Sequence, residues 1–161
     1  MVELADTHCH LDFSSFDADR EMVLERAWQV GVTRILVPGV DLASSGKAVI
    51  LSQEHPQIYA AVGVHPNEAQ TWKENYIEEL LDLANRPKVV AIGEIGLDYY
   101  RERSPKDIQI RIFTEQLEAA KKLELPVVIH NRQASQDIIR ILSDWSNDLA
   151  VVGSSLLGRL G

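Results

Sequence analysis

Short apolar runs rich in β-branched residues alternate with helix-patterned stretches along the whole chain, and this alternation constrains the fold more than any other feature. Strands are predicted at Val2–Ala5, Arg34–Val37, Ile58–Val64, Val89–Gly93, Val127–Ile129 and Leu149–Val152. Helices are predicted between them, over about 19–29, 45–53, 76–84, 105–123 and 133–145. The first has Asp17 or Asp19 as its cap, Met22, Val23, Ala27 and Val30 on its inner face, and Gly31 just past its end. The fourth opens on Pro105 and carries Ile108, Ile112, Leu117, Ala120 and Leu123 at mostly helical spacing. The small-residue-rich stretch Gly153–Gly161 reads as loop.

Strict βαβα alternation with apolar strands means a parallel sheet covered by helices. Two closures satisfy it, an open doubly wound sheet or a (β/α)8 barrel, and both place chemistry at the carboxyl ends of strands. An open sheet concentrates its site near one switch point, whereas a closed ring turns every strand end toward one centre. Here His8 and His10 follow the first predicted strand, His65 the third, Glu94 the fourth and His130 the fifth. That distribution favours the TIM barrel.

A barrel of this kind takes about 250 residues, and the chain has 161, enough for five βα units and the start of a sixth. The expectation is one α/β domain over residues 1–161, corresponding to the N-terminal two-thirds of a barrel. It would be a truncated gene product, a domain fragment or an incomplete gene model. Two open sheet edges and an uncovered apolar face predict poor stability or self-association.

The chemistry-bearing residues begin with Asp6-Thr-His-Cys-His10. On an extended segment His8 and His10 point to the same side, so both imidazoles can close on one cation. Asp6 is read either as an acceptor orienting one imidazole or as a turn residue. Cys9 points the other way and is read as packing. In Val89-Val-Ala-Ile-Gly-Glu94-Ile-Gly96 an apolar strand ends in a carboxylate, which is costly there unless it is paired or metal-bound. Its rival role is a salt bridge with Arg132 or Arg101. Pro126-Val-Val-Ile-His130 repeats the pattern with an imidazole. His8, His10, Glu94 and His130 together are a ligand set suited to Zn, Mn, Fe or, with more water, Mg.

Catalysis is assigned to Glu94 and His65. His65, in Gly63-Val-His65-Pro66, is read as a phosphate contact, a proton donor, a group behind the ligands or a solvent-exposed loop histidine. Asp98 and Arg132 join it on the substrate side, Arg132 as the better partner for a phosphate; Asp98 has the alternative of accepting a hydrogen bond from a histidine. His55 is read as a surface residue.

Composition narrows the classes. The chain is 45% hydrophobic and 25% charged, which is ordinary for one globular domain. No apolar stretch approaches the roughly 20 residues of a membrane span, and no secretory pattern stands at the N-terminus. A single cysteine makes the cytoplasm the expected compartment. The net charge of −8 argues against a broad nucleic-acid-binding face but leaves room for a small site that grips one strand end through cations.

Taken together, Asp6-Thr-His-Cys-His-Leu-Asp12, Gly63-Val-His-Pro66, Gly93-Glu-Ile-Gly-Leu-Asp-Tyr99 and Pro126-Val-Val-Ile-His-Asn-Arg132 resemble the TatD family of metal-dependent hydrolases and deoxyribonucleases. The resemblance implies a (β/α)8 barrel of the amidohydrolase type and two divalent cations. His8 and His10 would bind the first, Glu94 would bridge both, and His130 would bind the second. The family pattern also has a later histidine and a later aspartate, and neither motif occurs in this chain; the second cation is therefore expected to bind weakly. The activity implied is metal-activated hydrolysis of a phosphodiester at the 3′ end of single-stranded DNA. The alternatives are a hydrolase acting on another ester or amide, and a metal-binding fragment without turnover.

Overall fold

The computed structural model describes residues 3–152, the side chains of 150–152 excepted. Val2 and the predicted loop Gly153–Gly161 lie outside the described residues. Five strands alternate with helices: β1 (Leu4–Asp6), α1 (Arg20–Gln29), β2 (Val32–Pro38), α2 (Leu42–Glu54), β3 (Ile58–Val62), α3 (Tyr76–Ala84), β4 (Val89–Asp98), α4 (Lys106–Leu123), β5 (Val127–Arg132) and α5 (Ser135–Val152). Short 3₁₀ turns follow β1, at Ser14–Phe16, and β3, at Pro66–Thr71.

The strands form one sheet in the order β1-β2-β3-β4-β5, every neighbouring pair parallel. A doubly wound sheet would reverse direction at a switch point; sequential order is that of a barrel wall. The wall is strongly curved. In a flat sheet β1 and β4 would stand about 14 Å apart, three interstrand spacings, yet Nε2 of His8 lies 3.3 Å from Oε2 of Glu94. The described chain is thus a half-barrel.

Helices cover the outside because each buries one apolar stripe against the wall. Ile58, Ala60, Val62, Ile92 and Ile95 of the strands share a cluster with Leu80 of α3, Phe113 and Leu117 of α4, and Trp145 and Leu149 of α5. No described helix is long and apolar enough to cross a membrane.

Three expectations are corrected. The predicted strand Leu149–Val152 is the end of α5, because Leu149 continues the helical spacing of Ile138, Ile141 and Trp145 and is fully buried with them. On α1 the buried anchor is Leu24, whereas Met22 and Val30 are exposed. β4 runs five residues beyond Gly93, to Asp98. Gly31 does follow α1 with φ 97°, the left-handed conformation expected of it.

Candidate metal centre

β4 carries the central group. Between Ile92 and Ile95 its register with β5 slips: Ile92 pairs Val127 and Ile95 pairs Ile129, so one extra residue bulges from β4 around Gly93–Glu94. The site also needs close backbone approach. Gly96 has φ 143°, and a Cβ there would stand 2.1 Å from the His130 carbonyl oxygen. His130 is thereby set directly beside Glu94.

Glu94 is buried and each of its oxygens faces a different histidine group. Oε2 lies 3.3 Å from Nε2 of His8 and 3.8 Å from Nε2 of His10, and Oε1 lies 3.0 Å from Nδ1 of His130. The two Nε2 atoms of His8 and His10 are 3.3 Å apart. Two donor groups result, His8-His10-Glu94 and His65-Glu94-His130, each with ligand atoms within 4.8 Å of one another. The arginine salt bridge weighed for Glu94 is absent among the described residues; histidines surround it instead.

Hydrogen-bond accounting separates a ligand from a donor. Nδ1 of His10 lies 3.1 Å from the Pro38 carbonyl oxygen. A carbonyl only accepts, so Nδ1 carries the proton and Nε2 keeps its lone pair toward Glu94. His65 is the reverse. Its Nδ1 accepts the Asn67 backbone N–H at 3.1 Å, so the neutral ring carries its proton on Nε2. Burial, then the positive charge of His130, pushes the His65 pKa down to about 4, which keeps that ring neutral near pH 7.

Charge in the centre is mutually fixed. Burial works to raise the Glu94 carboxyl, but the His130 hydrogen bond and the neighbouring imidazoles outweigh it and hold it below the usual range. The Glu94 hydrogen bond raises His130 against the effect of burial, helped by the charges of Glu94 and Asp98. A donor set of imidazoles around one ionised carboxylate suits divalent cations.

The other predicted residues divide. Asp98 is fully buried: Oδ1 accepts from the backbone N–H groups of Tyr100 and Arg101, and Oδ2 lies 3.2 Å from Nε2 of His130. Asp98 thus stands beside a histidine, the alternative foreseen for it, and it also lines the cavity described below. Asp6 accepts the backbone N–H of His8 at 3.0 Å, so it is the turn residue. Cys9 is partly buried and packs against the core. His55 is half-buried, 3.4 Å from Glu21, rather than on the open surface.

His8, His10, His65, Glu94, Asp98 and His130 line a cavity of about 500 Å³, with Arg101, Arg103 and Arg132 on its wall. The sequence reading missed Phe13 and Arg103 in the cavity wall, although Arg101-Glu-Arg103, soon after the end of β4, is a visible cationic signal. It also missed the buried amides of α4. Gln109 binds the backbone of Asp98, and Gln116 binds both backbone polar groups of Val64 beside His65. Two glutamines seven residues apart on the apolar face of a helix were the available sign.

Imidazole and carboxylate donors gathered at the carboxyl ends of parallel strands, in a β/α half-barrel, are the arrangement of a metal-dependent site. The family model described as TatD-related DNase matches residues 5–154, and the chain belongs to that family. It is 44% identical, over 88% of its length and 55% of the relative's, to the uncharacterized metal-dependent hydrolase YabD of Bacillus subtilis. It is 41% identical, over 87% of its length and 54% of the relative's, to a protein of Rahnella named 3′-5′ ssDNA/RNA exonuclease TatD. Among solved structures, the TatD homologue YjjV of Escherichia coli superposes with a TM-score of 0.83 at 34% identity, covering 89% of this chain and 56% of that one. The chain thus spans about half the length of the curated relatives it matches.

Proposed function

We propose that the chain, taken as one domain, is the N-terminal part of a nuclease that removes nucleotides from the 3′ end of single-stranded DNA with two divalent cations, Mg, Mn or Zn. The observation that carries this reading is the Glu94 carboxylate, with one oxygen toward His8 and His10 and the other toward His130, at the base of a cavity with three arginines. His8 and His10 would hold one cation, His130 the other, and Glu94 both. Cations bound there would supply Lewis acidity, polarising a phosphoryl oxygen and lowering the pKa of a water.

The remaining work falls to the chain's own side chains. Arg132 pairs the scissile phosphate through its planar fork. His65, neutral and protonated on Nε2, donates a hydrogen bond to a phosphoryl oxygen; its low pKa makes it a fixed donor rather than a proton shuttle. Asp98 acts through His130, accepting from Nε2 and thereby orienting the ring. The arginines offset the acidity of the whole chain locally, which favours one strand end over a long duplex.

The test is a hydrolysis assay with 5′-labelled single-stranded oligonucleotides beside simple esters and amides, each with Mg, Mn and Zn. Stepwise loss of 3′ nucleotides is expected. Turnover of an ester or amide alone would replace the nuclease by another hydrolase, and cation binding without any turnover would leave a metal-binding fragment.

A further inference from the structure

Phe13 is 42% exposed although Leu11 and Asp12 beside it are buried. Its ring stacks on His10 nearly in parallel, with ring centroids 4.7 Å apart and planes 10° from parallel, and so borders the donor cluster directly. The loop that presents it is fixed by Arg20, whose guanidinium donates to the carbonyls of Leu11 and Phe13 and to the Asp17 carboxylate. An exposed aromatic ring held by such a clamp costs little further ordering when a flat group lands on it.

The same cavity is cationic at the β4 and β5 ends. Arg132 lies over the Tyr100 ring at 3.9 Å, and Arg101 and Arg103 stand nearby. An aromatic margin and a cationic margin around one cavity match the two halves of a nucleotide, a π-face and a phosphate.

We propose that Phe13 is a stacking platform for the base of the 3′-terminal nucleotide, whose phosphate lies against the arginines. The inference rests on the reading of the site as one for single-stranded nucleic acid. Stacking on an aromatic ring tolerates every base but requires that base to be unpaired. Phe13 therefore selects single strands over duplex ends and base-bearing ends over abasic ones.

The experiment uses the full chain in Mg²⁺ with phosphorothioate oligonucleotides that resist cleavage. One series ends in 2-aminopurine and a matched series ends in an abasic residue. The wild-type chain is expected to bind the 2-aminopurine end about tenfold more tightly than the abasic end, with quenched fluorescence. Phe13→Ala should lose both the preference for the 2-aminopurine end over the abasic end and the quenching, and Phe13→Trp should keep the preference. Equal binding of both ends by the wild-type chain overturns the platform and leaves the nuclease reading standing. A Phe13→Ala chain that keeps the preference does the same. Binding of neither oligonucleotide overturns both.

Discussion

Nδ1 of His130 lies 3.0 Å from Oε1 of Glu94, and its Nε2 lies 3.2 Å from Oδ2 of Asp98. Held between two carboxylates, His130 has its pKa raised above the ordinary histidine value. A cation must displace that proton. Apparent affinity for Mn²⁺ should therefore climb about tenfold per pH unit while one proton has to leave, and level off above the His130 pKa. Calorimetric titration in buffers of different ionisation enthalpy reads the proton released. A flat affinity across that range would separate His130 from the cation.

Glu94→Ala removes the group that both histidine clusters share. Metal affinity should fall at least about 100-fold, and cation-dependent hydrolysis should disappear. Cleavage at the wild-type rate in this variant would take the carboxylate out of the centre.

His65 makes the metal-free chain acid-sensitive. Its pKa is pushed down to about 4 in the folded chain, against about 6.5 when unfolded. The unfolded chain thus binds a proton that the folded chain refuses, and stability falls as pH drops from 6.5 to 4 by about 3 kcal/mol. Glu94 and Asp98, both lowered, add a further loss below the usual carboxylate range as the pH falls through their folded values. Urea unfolding of His65→Gln should show a correspondingly smaller drop over the same interval.

Gln116 of α4 accepts the Val64 N–H at 2.7 Å and donates to the Val64 carbonyl at 3.0 Å, with all these groups buried. Gln116→Leu leaves both backbone groups without partners and should cost about 2–4 kcal/mol, two unsatisfied groups' worth, in denaturant unfolding. A loss under about 0.5 kcal/mol would mean that water replaces the amide.

Neither β1 nor β5 has a second strand partner among the described residues, and β1 is exposed throughout. Open edges of this kind recruit other strands. Sedimentation should show mass rising with concentration; a monomer at every concentration would mean that the edges are protected.

The sequence exposes the parallel β/α wall because apolar runs and helical stripes keep different periods, and α3 falls at the predicted 76–84. It exposes the donor cluster because each ligand type recurs at a strand end. Leu149 misled because a short apolar run has no period of its own until it is joined to Ile138, Ile141 and Trp145. The full length of β4 was hidden because Gly93, Glu94 and Gly96 look like a strand's end, whereas here they mark a bulge and a tight backbone crossing. The amides of Gln109 and Gln116 were hidden because their partners are backbone atoms some 11 and 52 residues away.

The centre draws on opposite margins of a curved wall, since His8 and His10 follow its first strand and His130 lies in its fifth. A cation seated there is a clasp drawn across an arc. Coordination and curvature are then coupled, so that straightening the wall scatters the ligands and loading the ligands resists straightening. Occupancy becomes mechanical as well as chemical, and the loaded chain should be the more compact and the later to melt.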